Sequence, residues 1–161
     1  MMHGGKGDFY WGGDLSYEPV TPDLYLADGD RVEIGGVRLT AHLTPGHTKG
    51  CTSWSMRVSD KDKDYAVLFL CGLTVSPHKL TNNALYPDII KDVRDSFAKL
   101  RSMNADVLLA SHAFWFDLES KANRQKEGAS NPFIDPGELQ RHLTEMEQDF
   151  EQALQAQERQ R

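Results

Sequence analysis

The hydrophobic period of this chain changes near residue 87, and that change limits the folds open to it. Before it, apolar residues recur at every second position. Val37, Leu39, Ala41 and Leu43 alternate with Arg38, Thr40 and His42, the pattern of a strand with one apolar face. Thr52 to Val58 repeats the pattern, with Trp54 and Met56 set against Ser53 and Ser55. Tyr65 to Leu70 is a continuous apolar run between the polar stretch 60–64 and Gly72, as expected of a central strand. Leu24-Tyr25-Leu26 and Val32-Glu33-Ile34 read as shorter strands, the second ending at Gly35-Gly36 in a hairpin signal. Past Pro87 the spacing becomes helical, with Ile89, Ile90, Val93, Phe97, Leu100 and Met103 on one stripe. Val107 to Ala110 is a short buried strand, and the polar residues 123–136, with Gly128, Pro132 and Pro136, read as a long loop. From Gly137 a last helix carries Leu139, Leu143, Met146, Phe150 and Leu154 on one face. Strands first, then helix, strand, helix, describe a layered α/β unit in which two helices cover one face of one sheet.

The 161 residues make one domain with room for a core. Lys and Arg number 18 against 24 Asp and Glu, a net charge of −6, opposite in sign to that expected of a non-specific nucleic-acid binder. The longest apolar run, Ala66 to Cys71 and on to Leu73, is far short of the ~20 residues of a membrane helix. No basic segment followed by an apolar one opens the sequence, so no signal peptide is expected. Two cysteines, Cys51 and Cys71, cannot make a disulfide framework and read as buried free thiols. Residues 1–23 are rich in glycine and aromatics, Phe9, Tyr10, Trp11 and Tyr17 among them, which favours a loop resting as a flap on the remainder.

Six histidines divide by position. His3 lies in the opening segment, His42 and His142 fall on polar faces and read as solvated, and His78 follows Pro77 in a loop. His47 and His112 each come directly after a predicted strand, in Thr44-Pro45-Gly46-His47-Thr48-Lys49-Gly50 and Ala110-Ser111-His112-Ala113. An imidazole on a turn at the end of a buried strand is held rigidly and projects from the sheet edge, as a zinc ligand must. A lone strand-end histidine is more often structural; the glycine-rich turn around His47 favours a ligand.

That turn, Thr-Pro-Gly-His-Thr-x-Gly followed by a small residue, Thr and an aromatic, resembles the metallo-β-lactamase superfamily. Residues 28–36 and 39–48, Leu85-Tyr86-Pro87-Asp88-Ile89, the strand ending at His112 and Asn131-Pro132-Phe133-Ile134-Asp135-Pro136 resemble the third subclass of class B β-lactamases. The resemblance runs through essentially the whole chain and is to the C-terminal portion of the enzyme. It implies half of an αββα sandwich, one mixed sheet with covering helices. Residues 1–161 would form a single partial domain: 1–23 a substrate-cleft loop, 24–136 the sheet, helix and zinc-ligand loops, 137–161 the C-terminal helix.

The resemblance implies two zinc ions, with His47 a ligand of the first and His112 of the second. Phe9, Tyr10 and Trp11 would border the substrate, with Ser111 and Lys49 as lesser candidates for shaping the site. The superfamily's main zinc signature, His-x-His-x-Asp-His, is absent from the sequence. One imidazole per metal cannot hold a catalytic centre, so no catalytic residue is assigned and the chain alone is expected to be inactive. Leu73 stands where many superfamily hydrolases place a bridging aspartate, which favours a β-lactamase over a lactonase or thioesterase; Cys71 lies two positions too early for a cysteine ligand. No cysteines near Asn104 and Gly137-Glu138 offer the disulfide of some subclass members. The implied activity is zinc-assisted hydrolysis of β-lactam antibiotics, hence antibiotic resistance, in the periplasm or outside the cell. The rival of a different kind is a non-catalytic, truncated remnant. Neither nucleic acid nor a membrane is an expected partner. An exposed sheet face would invite self-association or pairing with a missing N-terminal half.

Overall fold

The computed structural model describes residues 4–7, 9, 16–75 and 77–160. Five strands form one mixed sheet in the order of the chain: β1 (Arg31–Ile34), β2 (Val37–Leu43), β3 (Thr52–Asp60), β4 (Lys63–Leu70) and β5 (Val107–Ala110). The first four are antiparallel neighbours, and β5 joins β4 in parallel. Gly35 and Gly36, at φ 59° and 82°, make the two-residue turn between β1 and β2, where a side chain would be strained at both positions. The parallel step from β4 to β5 is made through α1 (Ile89–Arg101). A 3₁₀ turn (Ala113–Phe116), α2 (Leu118–Lys126) and α3 (Glu138–Glu158) complete the chain.

The register sorts the side chains by face. Leu68, Leu70 and Leu108 point to α1 and α3 and join Val93, Phe97, Leu100, Leu139, Leu143 and Phe150 in the buried core. Thr40 and Ser55 share this face with Leu68, as His42 and Ser53 do with Leu70. The alternate residues, Val32, Leu39, Ala41, Trp54, Met56, Val67, Phe69, Val107 and Leu109, form the opposite, apolar face, outside the core cluster under α1 and α3. The one-sided arrangement expected from the sequence is therefore present: one mixed sheet with its helices packed on one face.

Three expectations need correction. Leu24-Tyr25-Leu26 is not a strand; Leu24 and Tyr25 are exposed, and no ladder forms there. The predicted loop 123–136 begins with the end of α2. That helix escapes periodicity because its buried side chain is a lysine. Lys121 reaches Glu138 at 2.5 Å and lies 5.8 and 5.6 Å from the rings of Phe116 and Phe133. Cys51 and Cys71 are not free thiols but a disulfide, with Cα atoms 5.8 Å apart. The β3–β4 register pairs Trp54 with Phe69 and so brings the chain before β3 and the chain after β4 side by side.

Candidate metal-ligand site

The chain leaves β2 through Thr44-Pro45-Gly46 and turns under α1. Ser96 Oγ of α1 donates to the Pro45 carbonyl at 2.7 Å, and Thr44 Oγ1 lies 2.9 Å from Ser53 Oγ. Gly46 has φ 144°, and a β-carbon on it would stand 2.6 Å from Val93 Cγ2. Only glycine lets the turn pass this close to α1. His47 follows immediately. Its Nδ1 lies 2.7 Å from the Thr74 carbonyl oxygen, and a carbonyl only accepts, so Nδ1 is the protonated nitrogen. The Nε2 lone pair is left for a ligand, the arrangement typical of a metal-binding histidine. The tautomer of His47, the ligand expected from the sequence, is thus compatible with zinc.

His112 ends β5. Because β4 and β5 run parallel, with Leu70 opposite Ala110, Gly72 and His112 emerge from the same edge of the sheet. Exposed, His112 stacks on Phe114 at 5.3 Å between ring centroids and meets the edge of Trp115 at 4.5 Å. Gly72 lies between the two loops: a β-carbon on it would stand 3.0 Å from Trp115 Cη2 and 3.2 Å from His47 Cδ2. The contact chain His47–Gly72–Trp115–His112 brings the two predicted ligand loops together. Among the described residues, no three His, Cys, Asp or Glu side chains converge as a metal cluster.

Phe9 packs edge-on against His78 and Tyr86, with ring centroids 5.2 and 5.0 Å away. Tyr10 and Trp11 lie outside the described residues. Lys49 turns to the 85–86 loop, where Nζ donates to the Leu85 carbonyl at 2.7 Å and lies 5.2 Å from the Tyr86 ring centre. Ser111 is exposed beside His112, and Leu73 is buried in the core. The solvated readings of His42 and His142 do not hold. His42 Nε2 is 2.8 Å from Ser55 Oγ, and burial holds the pKa of both histidines below the usual value. The sequence reading missed Thr74, Gly72 and Trp115. The adjacency of Gly72 to a strand end and of Trp115 to His112 were the only signals available, since the Thr74 contribution is a backbone carbonyl.

No protein-family model matches the sequence. Solved structures do. FEZ-1, a metallo-β-lactamase from Legionella gormanii, is 41% identical over 98% of this chain and 61% of its own, with a TM-score of 0.92. BJP-1, a subclass B3 metallo-β-lactamase of Bradyrhizobium japonicum, is 41% identical over 97% of this chain and 60% of its own, with a TM-score of 0.89. A metallo-β-lactamase from Cronobacter sakazakii is 38% identical, covers 98% of this chain and 60% of its own, and has a TM-score of 0.89. The chain therefore spans about 60% of the length of these enzymes.

Proposed function

Because the chain belongs to the metallo-β-lactamase superfamily and is similar over nearly its whole length to subclass B3 enzymes, we propose that it supplies one wall of a zinc-dependent β-lactam hydrolase centre. The observation that supports this is the meeting of the His47 and His112 loops across Gly72. Zinc, when bound, supplies Lewis acidity and lowers the pKa of water to near neutrality. His47 presents Nε2 to the first metal, held in that tautomer by the Thr74 carbonyl. His112 contributes to the second from the parallel strand, backed by Trp115 and Phe114. Phe9, with Tyr10 and Trp11, borders the β-lactam. The remaining ligands, of the His-x-His-x-Asp-His kind, are not in this sequence, and the chain by itself does not hydrolyse β-lactams. The proposed place of action is the periplasm or the cell exterior, and the role is antibiotic resistance. The absence of a three-donor cluster among the described residues equally favours a second reading, a folded remnant without chemistry.

Hydrolysis of a chromogenic cephalosporin in the presence of zinc separates the two. The chain alone should stay at background. Addition of the unmatched N-terminal portion of a FEZ-1-like enzyme should restore hydrolysis, and His47→Ala or His112→Ala should each abolish it. No restoration in a mixed, folded complex supports the remnant.

A further inference from the structure

One short segment grips His47 at two points. Thr74 accepts from the ring, and His78, four residues on, donates from Nε2 to the His47 carbonyl oxygen at 2.9 Å. The His47 and His78 rings stack, with centroids 5.5 Å apart and planes 29° from parallel. His78 is only 5% exposed, and its backbone N–H closes the segment on the Val75 carbonyl at 2.5 Å. The segment is fixed in turn by Gln157, on the last turn of α3. The Gln157 amide nitrogen donates to the His78 carbonyl at 2.8 Å, and Oε1 accepts from the N–H groups of Leu80 at 2.8 Å and Thr81 at 3.3 Å. One side chain thus satisfies three backbone groups of the 78–81 stretch, which has no ladder or helix of its own.

We infer that His78 and Gln157 are positioning residues for His47. Gln157 sets the 78–81 backbone, His78 holds the His47 peptide, and the ring is left with its Nε2 fixed in tautomer and direction. Neither residue is itself a metal ligand. Partners that orient a ligand histidine commonly account for 10- to 100-fold in metal affinity. The inference rests on His47 being a zinc ligand, as proposed above.

Long-range proton–nitrogen spectra of the full chain, labelled at histidine, report the His47 tautomer and, on titration with zinc chloride, which ring nitrogen the metal meets. In the unaltered chain the Nδ1–H form should dominate and zinc should shift Nε2. Gln157→Ala and His78→Ala should each mix in the Nε2–H form and weaken the zinc response of His47 about tenfold. His78→Gln, whose amide can still donate to the His47 carbonyl, should keep the original pattern. A merely structural role would lower stability in all three variants without moving the tautomer. Gln157 lies outside the buried core, so Gln157→Ala and His78→Gln decide the matter if His78→Ala does not fold. An unchanged tautomer and zinc response in folded Gln157→Ala overturns the positioning role and leaves His47 a ligand. Zinc that shifts no His47 nitrogen in the unaltered chain overturns the ligand reading, and the inference falls with it.

Discussion

Gly72 approaches the His47 imidazole so closely that a β-carbon on it would stand 3.2 Å from Cδ2. The same atom would meet Trp115 at 3.0 Å, so the space between the two predicted ligand loops is one hydrogen wide. The neighbours are side chains that can yield by a few tenths of an ångström. Gly72→Ala is therefore expected to cost about 1 kcal/mol, the low end of overpacking. Gly46→Ala should cost more, roughly 3 kcal/mol. It adds a left-handed-region backbone strain at φ 144° to a 2.6 Å clash with Val93 of α1. Urea unfolding of the two variants checks the order; equal costs would mean that the His47 turn is not pinned against α1.

The Cys51–Cys71 disulfide closes a loop of separation 20 at the site end of β3 and β4. A loop of that size contributes on the order of 3 kcal/mol by restricting the unfolded chain. That is a large share of a domain's ~5–15 kcal/mol. Unfolding in urea with and without a strong thiol reductant should show the midpoint falling on reduction. Cys51→Ser with Cys71→Ser should reproduce the reduced midpoint and be insensitive to reductant. An oxidised and a reduced protein of equal stability would contradict the bond's structural weight.

Burial lowers the pKa of His42 and of His142 in the folded protein, against weaker opposing effects of Asp28 on the first and Glu145 on the second. The unfolded chain therefore binds protons more readily at both positions. Stability should be full above about pH 6.5 and fall as the pH drops through 6.5 towards the folded values. A separate loss should begin only in stronger acid, below about pH 4. There Asp28, whose pKa is lowered chiefly by its hydrogen bond to Lys99, becomes protonated. Melting temperatures between pH 8 and 5 test the first window. His42→Gln with His142→Gln should flatten it, and a slope unchanged in that double variant would assign the effect elsewhere.

Much of the fold was legible because burial here follows period. The stripes Ile89 to Met103 and Leu139 to Leu154 belong to helices buried on one side only, where pattern and burial coincide, whereas the alternation of Val37 to Leu43 marks a strand whose apolar face buries only Ala41. α2 was not legible, because a lysine paired with Glu138 takes the place of its apolar anchor. The disulfide was not, because proximity of Cys51 and Cys71 depends on the β3–β4 register rather than on their spacing. At the site, His47 and His112 could be named from strand ends and a resemblance. The Thr74 carbonyl and the clamp of His78 and Gln157 could not, since each joins parts of the chain that only folding brings together.

The face of the sheet turned away from the helices is nearly all apolar, and several of its members are open to water. Ile34 is 77% exposed, Val37 47%, Val58 39% and Phe69 37%. Trp54 and Phe69 sit opposite one another at its centre. Covering roughly 400 Å² of such surface contributes ~10 kcal/mol at about 25 cal/mol per Å², before the entropy of association is subtracted. Patches of that size are at the limit of what monomers leave exposed. The isolated chain is therefore expected to self-associate through this face, with sedimentation coefficients that rise with concentration, and to bind a hydrophobic dye. Phe69→Lys with Ile34→Lys should shift it towards monomer and reduce dye binding without loss of the helical signal, because neither side chain reaches the core under α1 and α3. A monomeric profile at all concentrations, with no dye bound by the unaltered chain, would show that the face is content in water and that nothing need cover it.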